Sequence, residues 1–444
     1  MDTQQILKKL DQLPIWPYPK KLLLIIGIGF FFSFFDIVTI GLALPVIQQQ
    51  FSITTKVATW AITSSLIGYI LGSFLDSRIS DLFGRKLALY LSILFFSIGS
   101  ICSAFTHDIT TLMIWRFIIG MGSGSEIANI STYLAELTPA RIRGKITSMA
   151  VASGMFGFAI VPFVADGLVP FFAWGWRALF IIGGCGGIVT LFMRRLVPDS
   201  PRWLLTQHRT KEAEDIVNRA ELFVRERIKN FKPAPIQASP KPSVPHSFVS
   251  VLNAYKERLI LFVLLWGIYY IGNYAWLTLS TSLFIQEGFR LGLSLWFVSV
   301  ASLGFVLGSL IAVSLSDHFE RQWLVFCTLL LWSIALLVIA WIPRDITLLL
   351  FGFIASTTIA IVIPILYAYT AENFPTAQRS TCVSITDGLG HLGGAFCGQI
   401  ILGIASLFTV PYAFAAAFTS MALTGVLAAC LSLLGTRMTR RQLE

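Results

Sequence analysis

Only 13% of the residues are charged, so the polar groups that fall inside long apolar runs are the ones able to do chemistry there. Asp36 lies about 14 residues into the run 22–47, roughly 20 Å along a helix rising 1.5 Å per residue. Arg116 lies in the outer part of the run 110–135. Glu126 is ten residues from both Arg116 and Glu136, hence near the middle of that run, and Asn129 shares its helical face. Both read as cavity-lining, with a bond between neighbouring helices as the alternative. Asp387 and His391 are four apart in 381–407 and can meet on one face, as a proton relay or as a satisfied structural pair. Tyr269, Tyr270, Asn273, Tyr274 and Trp276 cluster in 258–285. Asn273 with Tyr270 or Trp276 could hold a ring or a polar head; ordinary packing is the competing account. A charge at a bilayer centre costs at least about 2.5–3.5 kcal/mol, so each buried charge needs a partner or a task.

These side chains need helices to position them. The chain has 444 residues, 55% hydrophobic, and most of it must face lipid or a membrane-embedded core. The sequence predicts an all-α polytopic membrane protein with twelve spans: 22–47, 57–77, 87–106, 110–135, 146–170, 176–195, 258–285, 293–315, 323–342, 346–371, 381–407 and 411–434. Lys8, Lys9, Lys20, Lys21, Arg78, Arg85, Lys86, Arg141, Arg143, Lys145, Arg194, Arg195 and Arg321 fall on one side, against Lys56, Arg290 and Arg344 on the other. This asymmetry places both termini and the central loop in the cytoplasm, and it accounts for the net charge of +10 without nucleic acid. The expected domains are an N-terminal segment 1–21, a six-helix bundle 22–195, a linker 196–257, a second bundle 258–434 and a tail 435–444. Within the linker, 210–228 puts Ala213, Ile216, Val217, Ala220 and Val224 at helical spacing, as in an amphipathic surface helix, and 233–245 is a Pro-rich tether. The six cysteines show no metal or disulfide spacing and read as buried small hydrophobes.

The two halves repeat. Gly68, Gly72, Asp81, Arg85, Glu136, Pro139 and Arg143 recur as Gly304, Gly308, Asp317, Arg321, Glu372, Pro375 and Arg379, each pair 236 positions apart. Repeats of six spans make two parallel bundles that can rock about a site at mid-membrane. The G-xxx-G pairs Gly68/Gly72 and Gly304/Gly308 let helix backbones approach closely.

Several of these motifs resemble the major facilitator superfamily, and the likeness covers nearly the whole chain. Asp81-Leu82-Phe83-Gly84-Arg85-Lys86 is similar to the motif after its second helix, with Ser77 and Leu82 in place of a Gly and a basic residue. Arg116-x3-Gly120-x-Gly122-x-Gly124, followed by Glu136-x2-Pro139-x3-Arg143-Gly144, looks like the fourth helix of the sugar porter and organic ion branches. Trp176-Arg177 and Pro198-Asp199-Ser200-Pro201-Arg202-Trp203 are similar to signatures around its sixth helix. Where sugar porters carry a Gln-Gln pair in helix seven, this chain has Tyr269-Tyr270, which looks more like the organic-ion and metabolite:proton symporter branches.

By this resemblance Asp36 is a proton acceptor and Arg116 its partner. Moving a guanidinium relative to a buried carboxyl changes how tightly the carboxyl holds its proton. The resemblance also implies a cytoplasmic gate formed by Asp81, Arg85, Glu136 and Arg143 facing Asp317, Arg321, Glu372 and Arg379. The expected function is secondary active transport: proton-coupled symport of a small organic acid or related metabolite, by a monomer in the cell membrane, with the proton as coupling ion and no other cofactor or metal. Sugar symport, drug export by proton antiport and a non-transporting nutrient sensor are the alternatives. An enzyme is not expected, because neither an HxxxD nor an HExxH pattern occurs.

Overall fold

A computed structural model describes residues 3–228, 255–315, 319–374 and 379–436. The first bundle contains α2 (Lys20–Phe51), α3 (Trp60–Phe83), α4 (Arg85–Ala104), α5 (Ile109–Leu137), α6 (Arg143–Leu168) and α7 (Gly175–Met193), preceded by the short α1 (Thr3–Asp11). Among the described residues of the linker, two α-helices follow, α8 (Pro201–Thr206) and α9 (Thr210–Arg227). The second bundle contains α10 (Lys256–Glu287), α11 (Leu291–Leu315), α12 (Arg321–Trp341), α13 (Asp345–Glu372), α14 (Arg379–Ala395) continued by α15 (Cys397–Ala405), and α16 (Val410–Ser432). Among the described residues, eleven helices are long and apolar enough to cross a membrane. The twelfth, α5, carries Arg116, Glu126 and Glu136 and lies packed on α3 and α4.

The largest boundary difference is at α3, which runs six residues past the expected end at 77. Asp76, Arg78 and Asp81 break the apolar pattern there, but the helix continues against α5 until Gly84. Gly84 has φ +101°, a conformation that side chains rarely adopt, and a Cβ at that position would sit 2.9 Å from the Trp203 ring.

Helix pairings repeat between bundles. α2·α6, α2·α7, α3·α5, α4·α5 and α4·α7 correspond to α10·α14, α10·α16, α11·α13, α12·α13 and α12·α16. The small-residue pairs make the tightest of these approaches. A Cβ on Gly120 would lie 1.8 Å from the Ser65 carbonyl oxygen, and one on Gly72 would lie 2.2 Å from that of Met121. Gly304 and Gly308 meet Phe353 and Thr357 of α13 in the same way.

The linker helices differ from a free surface element. All five expected apolar positions of α9 are buried, and what covers them includes the N-terminal segment. Ile6, Leu10, Leu13 and Trp16 share one core with Ala213, Val217 and Val224. Lys9 Nζ lies 2.5 Å from Glu221, and Asp11 accepts from Arg202 at 2.7 and 2.8 Å. Residues 3–18 are thus folded onto the linker. The tether 233–245 and residues 437–444 lie outside the described residues. All six cysteines are free; Cys382 and Cys397 are buried as expected, while Cys185, Cys327 and Cys430 face outward.

Among the described residues the bundles meet chiefly along α6·α11, α3·α14 and α2·α10, with α15 also touching α3. The hydrogen bonds seen between described residues of the two bundles lie at mid-depth or towards the end far from the linker. Thr63 donates to the Ala395 carbonyl (2.7 Å), Gln399 to Thr63 (3.0 Å), Gln286 to Thr55 (3.0 Å) and Ser302 to the Ala159 carbonyl (2.9 Å).

Candidate transport site

Asp36 and Arg116, 80 residues apart, meet across α2 and α5. Arg116 Nη1 donates to Asp36 Oδ2 at 2.6 Å, with 2% and 3% of the two side chains exposed. Arg116 Nη2 donates to Ser65 Oγ of α3 at 3.2 Å, and its guanidinium lies 5.7 Å from the centre of the Phe180 ring. Two buried charges are tolerated only with such geometry, because desolvation costs several kcal/mol per ion.

Glu126 does not line an open cavity. Its Oε1 accepts from Arg194 Nη2 at 2.6 Å, with 1% and 3% of the side chains exposed, and Arg194 Nη1 donates to the Leu89 carbonyl at 2.6 Å. Gly29 of α2 leaves the room, since a Cβ there would meet Glu126 Oε1 at 2.5 Å and Arg194 Nη2 at 2.8 Å. Arg194 was grouped by sequence with the loop cations; in the structure it turns back into the bundle. Asn129 is likewise committed within its bundle, accepting from Ser80 (3.2 Å) and donating to the Arg85 carbonyl (3.3 Å).

A second centre lies between the bundles. His391 Nδ1 is 2.8 Å from the Asp387 carbonyl oxygen and 3.6 Å from Asp387 Oδ1, which also accepts from the Tyr270 hydroxyl at 2.7 Å. The His391 ring is stacked on Tyr69 of α3 (4.3 Å, 20°) and flanked by Tyr270 and Tyr274 at 4.3 and 5.7 Å. Tyr69 was not singled out from sequence, where nothing marks one tyrosine of a span as facing the other half. Tyr269 is fully buried and packs on Trp266 and Tyr270. Asn273 is buried too, away from any hydrogen-bond partner for its Oδ1 among the described residues. Trp276 donates to Ser356 (3.3 Å) and borders a small crevice with Val38, Phe158, Phe305 and Ser356.

Among the described residues, Arg85 and Arg321 each meet a gate carboxylate of their own bundle. Arg85 bridges Asp81 (2.6 Å) and Glu136 (3.0 Å), and Arg321 reaches Glu372 at 2.7 Å. Arg85–Glu136 and Arg321–Glu372 are equivalents at the 236-residue offset. Arg143 faces Asp11 at 3.4 Å. Asp317 and the Arg379 side chain lie outside the described residues. The linker signature braces this end: Trp203 Nε1 donates to the Asp81 carbonyl and Arg202 to that of Glu136.

Comparison with known proteins now fixes the family. Residues 22–436 match the model of the sugar (and other) transporter family. The chain belongs to this family. It is a membrane-embedded transporter of a small molecule and not an enzyme. It is 31% identical over 402 residues to YyaJ of Bacillus subtilis (strain 168), named as a metabolite transport protein, covering 89% of this chain and 88% of that one. It is 27% identical to the 4-hydroxybenzoate transporter PcaK of Acinetobacter baylyi (strain ATCC 33305 / BD413 / ADP1), covering 86% of each. Among solved structures, a D-xylose-proton symporter superposes with a TM-score of 0.76 at 20% identity, covering 95% of this chain and 99% of that one. This last likeness gives the twelve-helix major facilitator fold.

Proposed function

We propose that this chain is a proton-coupled symporter of a small organic acid, with an aromatic carboxylate as the leading substrate class. The observation that carries the reading is the buried Asp36–Arg116 pair. A carboxyl held at that depth by one movable guanidinium can exchange its partner for a proton when the helices shift. The aromatic substrate class is supported by the rings of Tyr69, Tyr270 and Tyr274 around His391, and by the 4-hydroxybenzoate transporter among the relatives.

Both termini and the linker lie in the cytoplasm of a cell-membrane protein acting as a monomer. The end far from the linker is then the outer end. The contacts of Thr63, Gln399 and Gln286 close it, and the two bundles rock about the mid-depth aromatic centre.

The test is flux into liposomes holding an internal pH dye. On adding 4-hydroxybenzoate, the wild type acidifies the lumen beyond empty liposomes, and Asp36→Asn does not. Tracer flux with no pH change, unaffected by Asp36→Asn, would refute the coupling.

A further inference from the structure

The N-terminal segment brings an acid to the gate charges that neither the motifs nor the internal repeat supplies. Asp11, the last residue of α1, accepts from Arg202 Nη2 at 2.7 and 2.8 Å through its two carboxylate oxygens, and Arg143 Nη2 lies 3.4 Å from its Oδ1. The residue 236 positions further on is Ser247, so the second half carries no copy of this acid. From Asp11 the contacts run on into the motif. Arg202 Nε donates to the Glu136 carbonyl at 3.3 Å, Glu136 Oε1 takes Arg85 at 3.0 Å, and Arg85 holds Asp81 at 2.6 Å.

Arg143 stands at the linker end of a seam between the bundles. It is the first residue of α6, the helix that packs on α11 of the second bundle, and α11 ends at the same side with Leu315. Its guanidinium is only partly used. One amino group faces Asp11, while the buried Nε has no hydrogen-bond partner among the described residues. An arginine presents five donors in a fixed fork, so this one can trade Asp11 for another carboxylate without a change in the helix beneath it.

Apolar packing, not charge, fixes where Asp11 sits. Ile6, Leu10 and Leu13 are at most 1% exposed, in a core whose members all lie between Ile6 and Ile228. Lys9 adds contacts to Asn218 at 2.7 Å and Glu221 at 2.5 Å. The acid is therefore carried on the first bundle's side of the seam. The hydrogen bonds seen between described residues of the two bundles lie away from this end, so Arg143 is held by Asp11 in a form whose closed end is the opposite one.

We infer that Asp11 is a positioning residue of the gate: docked α1 holds Arg143 back on the first bundle and so favours the form in which the linker end is unlatched. The inference rests on reading the paired charges as a gate at that end. It is independent of what is carried and of any coupled proton.

The experiment measures spin-label distances in the full-length protein in lipid nanodiscs. The six cysteines are replaced, and labels stand at Met149 of α6 and Val313 of α11, both exposed. The wild type gives two distances, a short one for a closed linker end and a long one for the form described above. Asp11→Asn raises the short-to-long ratio roughly 1.4- to 5-fold, the worth of one partly exposed ion pair. Asp11→Glu, which keeps the charge, keeps the wild-type ratio. In an Arg143→Gln background Asp11→Asn changes nothing further, because the acid acts through that arginine. A ratio unchanged by Asp11→Asn overturns the inference and leaves the gate reading intact. A shift that persists in full without Arg143 also overturns it, since α1 then acts only by its packing. A wild type with one distance, kept in Asp11→Asn and in Arg321→Gln, overturns the gate reading and the inference with it.

Discussion

Replacing Arg194 by methionine tests the structure where it departs most from a reading of loop charge. As a topology cation Arg194 would be nearly dispensable, since six or more other cations mark the same side. In the structure it neutralises a carboxylate that is 1% exposed, through a 2.6 Å contact. Arg194→Met strands Glu126, and removing one partner of a buried pair costs about 3–5 kcal/mol. In a unit of this size each kcal/mol moves a melting midpoint by roughly 2–4 °C, so a fall of roughly 6–20 °C is expected. The double variant Glu126→Met/Arg194→Met removes both charges, and apolar replacement of a whole buried pair is often neutral or stabilising. It should therefore melt well above the single variant. The assay is intrinsic tryptophan fluorescence on heating in detergent, because Trp176, Trp266 and Trp332 are fully buried reporters in both bundles. If Arg194→Met melts with the wild type, or if the double variant is no better than the single, the pair does not hold the bundle and the reasoning fails.

Gly120→Ala places a methyl 1.8 Å from a backbone oxygen of α3 and should cost at least about 1–3 kcal/mol, whereas Gly167→Ala, with open space around it, should leave the melting midpoint unchanged. Tyr69→Ala removes a ring stack between bundles that is worth about 0.5–1.5 kcal/mol; the balance between outward- and inward-facing forms, read from spin-label distances, should shift roughly 2- to 13-fold away from the form described above. The docking of α1 should be acid-sensitive. Burial pushes the Glu221 carboxyl up, but hydrogen bonds and charge from Lys9 and Arg225 outweigh it and hold the group below its ordinary value. Its contribution is then complete above the unfolded value of about 4.3 and is lost as pH falls through the folded one, so the protection of the Thr3–Asp11 amides, taken relative to their intrinsic exchange rates at each pH, should fall in acid.

The spans were legible because a bilayer leaves few alternatives: a long apolar run must satisfy its backbone internally. Eleven of the twelve helices sit within about four residues of their expected limits, a normal scatter for helix ends. α3 overran because charge was read as an end signal, although Asp76 is buried between helices. Which polar residues pair was less legible. Glu126 shares its span with Arg116, but its partner, Arg194, enters from α7, and no local spacing announces a contact 68 residues away. The amphipathic face of α9 was plain at helical spacing, but the sequence did not say that α1 would cover it. Tyr69 shows the same limit, since the register between α3 and α14 is set by packing across the bundles.

The division of labour between the halves raises the question of how a proton event in one could reach a substrate in the other. Among the described residues, both deeply buried acid–guanidinium pairs belong to the first bundle, and the aromatic centre belongs to the second apart from Tyr69. The two centres share one turn of α3. Ser65 accepts from Arg116, and Tyr69, four residues on and therefore on the same face, stacks on His391. That turn is also where α3 is least free to deform, because Gly120 and Gly124 of α5 bring their backbones against the carbonyls of Ser65 and Tyr69. In the proposed symport, a rigid turn tied to the Asp36–Arg116 pair at one end and to the aromatic centre at the other would pass a shift of Arg116 on to Tyr69: protonation of Asp36 would release the guanidinium, its pull on Ser65 would change, and the ring that covers His391 would move with the helix. Coupling through this turn needs no long relay of side chains, only two contacts on one helix face and close packing behind them.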